Sequence, residues 1–118
     1  MVLVDTSVWV DHFNKSDPDL IRLLKGMKVC THVFIIGELS CGNIRNRTEI
    51  LSLMNSLPQV IPAFDDEVLT LIESKHLYGI GLGYIDVHLI ASALINDVKI
   101  WTRDKSLKKT AVNLNIHK

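Results

Sequence analysis

Four acidic residues occupy positions from which they could act together: Asp5, Glu38, Asp86 and Asp104. Asp5 and Asp104 each follow a short apolar run that predicts a buried strand, and open α/β sheets bind ligands at the carboxyl ends of their strands. Asp86 falls in the first turn of a predicted helix. Glu38 lies inside an otherwise apolar helix, where a carboxylate is seldom buried unless it is paired.

Carboxylates that converge on one site repel one another and raise each other's pKa values unless a cation neutralises them. Oxygen ligands without cysteine or histidine companions suit Mg²⁺ or Mn²⁺ rather than zinc. Such an ion can lower the pKa of a bound water, hold a phosphate oxygen and stabilise the leaving oxygen of an in-line displacement. Neighbouring strands would bring Asp5 and Asp104 together, whereas spacing alone does not bring Asp86 and Glu38 to the same edge.

Each of the four carboxylates also has an ordinary structural explanation. The two that follow strands can be turn or capping residues. Asp86 can simply favour the helix dipole. Glu38 could form an ion pair with Arg45 or Arg47, which follow its helix.

The elements that must position these residues alternate between strand and helix, which predicts a mostly parallel sheet covered on both faces. The predicted strands are Val2–Val4, Lys28–Thr31, Val60–Ile61, Val98–Thr102 and a final edge strand, Val112–Ile116. The first predicted helix is short and includes Val8 and Phe13. Six more predicted helices run from Pro18 to Gly26, from His32 to Gly42, from Ile50 to Leu57, from Asp65 to Leu77, from Tyr84 to Asn96 and from Lys105 to Ala111. Thr6 or Ser7 can cap the first helix and Ser16 or Asp17 the second.

Composition indicates one globular domain over residues 1–118, with 47% apolar and 22% charged residues. Thirteen basic and thirteen acidic residues cancel. Any nucleic-acid contact must therefore come from local patches rather than from a global field. No apolar run approaches the roughly 18 residues of a membrane span and no signal pattern opens the chain, so we expect a cytoplasmic protein.

Several other motifs argue against competing chemistries. Cys30 and Cys41 are isolated, without the paired spacing of a zinc site, and are expected to be buried free thiols. The glycines of residues 79–83 have the wrong spacing for a dinucleotide loop and follow a helix, so they predict a flexible turn. The acids at 65–67 suit the first turn of a helix and are interpreted as structural.

Four segments together give the chain a resemblance to PIN-domain ribonucleases of the VapC toxin type. They are Val4–Asp11, Ile36–Gly42, Asp86–Leu94 and Trp101–Leu107, in the family's order and spacing. The resemblance runs nearly end to end. It implies a three-layer α/β/α sandwich, PIN-like, with a mostly parallel sheet of four to five strands.

The resemblance also implies that the four acids are the catalytic residues and gather around Mg²⁺ or Mn²⁺. Asp5 and Asp86 match the most secure metal ligands. Glu38 matches an acid that binds metal directly or through water, and Asp104 matches a fourth acid that varies more among PIN domains. Three hydroxyl residues near the same edge are expected to orient acids or water: Thr6, Ser7 and Thr102.

The activity implied is metal-dependent endonucleolytic cleavage of RNA by a type II toxin, leaving 5′-phosphate and 3′-hydroxyl ends. RNA needs cations on the rim of an acidic cleft. The candidates for this RNA contact are Arg45, Arg47, Arg103, Lys105, Lys108 and Lys109. The five histidines form no obvious dyad, and His88 is interpreted as structural or as an RNA contact rather than a base.

The family's partners are a cognate antitoxin and a second copy of the toxin. The antitoxin's C-terminal segment would dock into an apolar groove and often sends a basic residue into the acidic site. Homodimers are common among toxins of this type.

Two alternatives from other classes stay open on sequence alone. A receiver-like phosphoacceptor domain would place paired acids after its first strand and a lysine after its last, whereas here Asp5 precedes Thr6 and Ser7. A non-catalytic PIN-like module would keep the fold only to bind a protein, and would gain no thermal stability from Mn²⁺.

Overall fold

The computed structural model describes residues 1–118 and contains three strands and seven helices. The strands are β1 (Val2–Val4), β2 (Val29–Cys30) and β3 (Lys99–Trp101). The helices are α1 (Thr6–Asn14), α2 (Pro18–Lys25), α3 (Val33–Cys41), α4 (Arg47–Ser56), α5 (Asp65–Ser74), α6 (Tyr84–Asn96) and α7 (Lys105–Asn113).

The sheet has the order β2-β1-β3, and both pairings are parallel. The apolar run at the start of the chain forms the central strand, with Leu3 and Val4 fully buried. Beyond β1, the backbone amide of Asp5 donates to the carbonyl oxygen of Trp101 at 2.9 Å. The first acid of the chain therefore lies at the carboxyl edge of the sheet, beside the end of β3.

The prediction of four to five strands is wrong in detail. The segment predicted as the strand Val60–Ile61 contributes one parallel bridge, between Thr31 and Gln59. Prolines at positions 58 and 62 bracket this segment, and a proline has no amide to extend a ladder.

The predicted edge strand at residues 112–116 is also wrong. Helix α7 continues to Asn113, because Thr110 and Ala111 are buried against the rest of the molecule. Only His117 then pairs, in a single parallel bridge with Ile100. The sheet therefore has three strands with one isolated bridge on each side.

Helix α6 is central, as its nearly continuous apolar sequence predicts. Every residue from Val87 to Ala93 is buried. Its partners include α5 and β3. A helix of this kind is fixed on several sides, so Asp86 in its first turn is carried by one of the most tightly packed elements of the fold.

The ends of the early helices explain how two hydroxyls reach the site. Of the two predicted caps of α2, Ser16 and Asp17, it is Asp17 that accepts from the amides of Asp19 and Leu20. The N-cap of α1 is Asp5, however, and not Thr6 or Ser7, which form the first turn of that helix. Their hydroxyls are therefore available to other side chains.

The two cysteines differ in their surroundings. Cys30 is buried in β2, and burial raises the pKa of its thiol. Cys41 is exposed, because it is the last residue of α3, so its predicted burial is wrong. No helix is both long and apolar enough to cross a membrane.

Candidate active site

Asp5 is the deepest of the four acids, with 7% of its surface exposed. Its Oδ2 accepts hydrogen bonds from the hydroxyls of Ser7 and Thr102, each at 2.8 Å. Each hydroxyl oxygen in turn accepts a hydrogen bond from a backbone amide. Ser7 accepts from the amide of Arg103 at 3.0 Å, and Thr102 from the amide of Asp104 at 3.1 Å. Because each hydroxyl oxygen accepts from an amide, its proton is directed at Asp5. The two hydroxyls thus hold Oδ2 of Asp5, while Oδ1 has no protein partner.

Glu38 reaches the same region from α3. The hydroxyl of Thr6 donates to its Oε1 at 3.0 Å, while Oε2 has no partner. No ion pair joins Glu38 to Arg45 or Arg47, so the structural alternative considered for this residue is wrong. Arg47 instead donates to the carbonyl oxygen of Ser40 at 2.8 Å.

Asp86 and Asp104 combine a capping contact with a free oxygen. Oδ2 of Asp86 accepts from the amide of Gly83 at 3.0 Å, and Oδ2 of Asp104 accepts from the amide of Leu107 at 2.9 Å. Both therefore have the structural roles that the sequence left open. In each carboxylate the second oxygen takes no hydrogen bond from the protein.

The four carboxylates form one electrostatic cluster. Desolvation, with the charges of Asp5 and Asp86, raises the pKa of Glu38, against the lowering effect of the Thr6 hydroxyl. Desolvation also raises the pKa of Asp86, which the charges of Asp104 and Asp5 reinforce and the amide of Gly83 opposes. None of the four is paired with a basic side chain. The cluster thus has an uncompensated negative charge that a cation would relieve.

The side chains do not already surround a point at which an ion could bind. No three histidine, cysteine, aspartate or glutamate groups are placed to hold one metal ion between them. The donor set fits a hard divalent cation in its chemistry, because all four groups offer carboxylate oxygens.

A buried histidine links the two helices that carry Glu38 and Asp86, and no sequence pattern predicted this link. His32 caps α3, since its Nδ1 accepts the amide of Phe34 at 2.9 Å. The proton therefore lies on Nε2, which is 3.1 Å from Oγ of Ser92 in α6. Burial, with the nearby His88, lowers the pKa of His32 to about 4, so the ring is neutral.

His88 is structural. Its ring is buried, and its Nε2 lies 2.9 Å from Oδ1 of Asp65. The rings of Phe34 and Tyr84 meet it edge to face at 4.9 and 4.8 Å between centroids. Its burial argues against the RNA contact considered for it.

The six cations considered for RNA binding fall into three groups. Arg103 is committed to ion pairs with Asp11, at 2.7 Å, and with Asp17. Arg45 and Arg47 lie away from α7, and Arg45 lines a groove of about 690 Å³ with Val10 and Phe13 of α1. The α7 lysines, by contrast, have no acidic partner: Lys105, Lys108 and Lys109.

Comparison with known proteins gives concordant results. A family model described as PIN domain matches residues 2–113. Ribonuclease VapC32 of Mycobacterium tuberculosis, from strains CDC 1551 and H37Rv, is 42% identical over 109 residues, which is 92% of this chain and 88% of that protein. The crystal structure of PAE2754 from Pyrobaculum aerophilum aligns with a TM-score of 0.62 and 17% identity, over 97% of this chain and 94% of that one. At that identity the structural match shows a shared fold.

Proposed function

The chain belongs to the PIN-domain family, as a member of the VapC type, and from this premise we propose that it is a metal-dependent endoribonuclease and the toxin of a type II toxin–antitoxin pair. One observation carries the proposal: four carboxylates share one electrostatic cluster without a basic partner, and each keeps an oxygen free of the protein. Carboxylates held close together repel one another and destabilise the fold unless a cation binds between them.

Asp5, Glu38, Asp86 and Asp104 would hold Mg²⁺ or Mn²⁺ through their free oxygens. A divalent ion supplies a nucleophile at neutral pH by lowering the pKa of its water, and it stabilises the leaving oxygen of a phosphodiester. Of the four acids, Asp5 is buried, Asp86 is half-buried, and Glu38 and Asp104 are exposed.

The hydroxyls act as positioning groups in this proposal. Ser7 and Thr102 hold Oδ2 of Asp5, which leaves Oδ1 free to bind the ion. Thr6 does the same for Glu38. Outer contacts of this kind typically contribute roughly 10- to 100-fold in metal affinity or activity.

The two buried histidines are not available as bases for a different hydrolytic route. His32 and His88 are buried and engaged in hydrogen bonds within the protein. The proposed cleavage therefore uses water and leaves 5′-phosphate and 3′-hydroxyl ends. Membership in the PIN family does not support the receiver-like alternative.

A cognate antitoxin is the proposed protein partner, in the groove lined by Arg45, Val10 and Phe13. Four of its eight lining residues are hydrophobic, and the groove lies between α1 and the segment that leads into α4. A mixed apolar and amide surface suits an amphipathic segment. Replacing the exposed Val10 with a charged residue should weaken antitoxin binding and leave RNA cleavage intact.

A homodimer is proposed as well. Ile61 and Phe64 are 72% and 74% exposed in the segment between α4 and α5, three positions apart, and contact with a second copy would cover both. Sedimentation of the wild type and of Phe64→Ser tests whether this surface joins two copies.

The central experiment compares RNA cleavage by the wild type, Asp5→Asn and Asp97→Asn. The Asp5→Asn side chain can still accept from Ser7 and Thr102, so the fold should survive while the charge is lost. Asp97 lies at the far end of α6 in a left-handed conformation that asparagine tolerates, which makes it a matched control. Metal-dependent cleavage with 5′-phosphate products by the wild type and the control, and its loss in Asp5→Asn, is expected. Equal cleavage by all three, or none by the wild type, would overturn the proposal in favour of a non-catalytic module.

A further inference from the structure

A polar groove of about 310 Å³ lies between α7 and the glycine-containing loop that precedes α6. Its lining consists of Ile80, Lys105, Ser106, Lys109, Thr110 and Asn113. It contains two lysines and no acid, in a protein whose acidic and basic residues are equal in number. This groove therefore has a local positive charge that the overall composition does not show.

The lysines are free to bind a ligand. Neither forms an ion pair, whereas Arg103, the residue that precedes Asp104, is held by two carboxylates. Lys105 and Lys109 are one helical turn apart on α7, about 6 Å along the axis, so they present their ammonium groups on one face. Ser106, Thr110 and Asn113 add hydroxyl and amide donors beside them.

The groove lies beside the acidic cluster. Lys105 follows Asp104 directly, and the loop on the other wall ends at Gly83, whose amide holds Asp86. Gly81 brings that wall against α7: its φ is +87°, and a Cβ there would lie 2.8 Å from Oγ of Ser106. Both walls of the groove therefore adjoin a residue proposed to bind metal, Asp104 on one side and Asp86 on the other.

We propose that this groove binds the sugar-phosphate backbone of single-stranded RNA next to the bond that is cut. The inference rests on the proposed ribonuclease function. Lysine, serine, threonine and asparagine are the usual partners of phosphate and ribose oxygens. The groove offers these groups together with one aliphatic side chain, Ile80, and no aromatic platform for bases. Binding here is therefore directed to the backbone and independent of sequence.

The test measures RNA affinity as a function of salt, without cleavage. A fluorescent single-stranded RNA of mixed sequence is titrated with Asp5→Asn protein in EDTA, with and without the further changes Lys105→Gln and Lys109→Gln. Loss of two phosphate contacts should make the slope of log affinity against log salt shallower by about 1.4. The corresponding pair of arginine substitutions keeps the charge and should keep the slope.

Lys25→Gln together with Lys28→Gln is the matched control. These lysines are exposed at the opposite, amino-terminal edge of the sheet. An unchanged slope in the control and a shallower one in the groove variant support the inference. An equal change in both pairs, or no change in the groove pair, overturns it. So does a groove pair that binds RNA normally but loses the antitoxin, which would assign the groove to an acidic peptide.

Failure of this inference can be separated from failure of the proposed function. The slope is read without metal and without catalysis. If the wild type does not cut RNA but the groove pair still lowers the slope, the groove binds RNA and the nuclease proposal fails. If the wild type cuts RNA and the slope does not change, the nuclease proposal holds and the groove assignment fails.

Discussion

The hydroxyl of Thr102 donates a 2.8 Å hydrogen bond to Oδ2 of Asp5, across 97 positions of sequence. The bond joins the ends of β3 and β1, and Thr102 is 2% exposed. It ties the most buried acid of the cluster to the strand that leads to Asp104.

Replacing Thr102 with valine should therefore destabilise the protein and weaken its activity. The substitution keeps the shape of the side chain but removes a hydrogen bond to a charged group, which costs about 1.5–3 kcal/mol of unfolding free energy. Metal-dependent cleavage should fall by roughly 10- to 100-fold. Urea unfolding and cleavage rates give both values.

Thr31→Val is the control for this prediction. Thr31 is fully buried, but its hydroxyl has no hydrogen-bond partner. Its loss should leave stability unchanged or improved and activity intact. Equal effects of the two substitutions would contradict the role given to Thr102.

Arg103→Gln should affect stability more than RNA binding. The guanidinium joins Asp11 and Asp17, and the two ion pairs connect the end of β3 with α1 and with the start of α2. Because these groups are partly exposed, the loss should be about 1 kcal/mol. RNA affinity at fixed salt should change little. A large loss of affinity with unchanged stability would show that Arg103 contacts RNA directly.

His32 should make the protein less stable as pH falls. Its pKa in the folded protein is about 4, below the ordinary value of 6.5, because burial disfavours the charged ring. As pH falls, the unfolded chain therefore binds a proton on His32 before the folded protein does. The stability that the neutral ring contributes is complete above pH 6.5 and decreases as pH falls to about 4.

The variant His32→Asn should remove this part of the pH dependence. Asparagine keeps an acceptor for the amide of Phe34 but does not titrate. Unfolding free energies of both proteins, measured from neutral pH to below pH 5, should differ in slope. His76→Asn, at an exposed left-handed position, should behave as the wild type. A parallel slope for His32→Asn would refute the prediction.

Glu38→Gln should stabilise the metal-free protein. Desolvation and the charges of Asp5 and Asp86 raise the pKa of Glu38, so in EDTA the native state loses stability as pH rises through that raised value. In EDTA, the substitution should raise the melting temperature at pH values above the raised pKa of Glu38, and the two proteins should have the same melting temperature at lower pH. It should also abolish the increase in melting temperature that Mn²⁺ gives the wild type.

Glu73→Gln, on α5, is the matched control for this effect and should leave the melting temperature unchanged. If the melting temperature of Glu38→Gln is below that of the wild type across the whole pH range, Glu38 stabilises the metal-free fold instead of destabilising it.

The features that the sequence predicted are those set by local pattern. An apolar run followed by Asp5, a continuous apolar helix with Asp86 in its first turn, and the Asp17 cap all depend on neighbouring residues. They could be located without knowing the rest of the fold.

The features it did not predict depend on distant contacts. The burial of Thr110 and Ala111 extends α7 into the predicted edge strand. The partners of Arg103 and the bond between His32 and Ser92 join residues that are 60 to 92 positions apart in sequence. The spacing of apolar residues along the chain does not indicate contacts between residues so far apart in sequence.

Calorimetric titration with Mn²⁺ shows whether the four acids bind a divalent metal ion. Asp86→Asn keeps an acceptor for the amide of Gly83 but loses the charge, while Asp66→Asn changes an exposed acid in α5 that is outside the cluster. We expect saturable binding by the wild type and Asp66→Asn, and binding weakened by more than about tenfold in Asp86→Asn. Equal Mn²⁺ binding by all three proteins, or none by the wild type, would contradict this expectation.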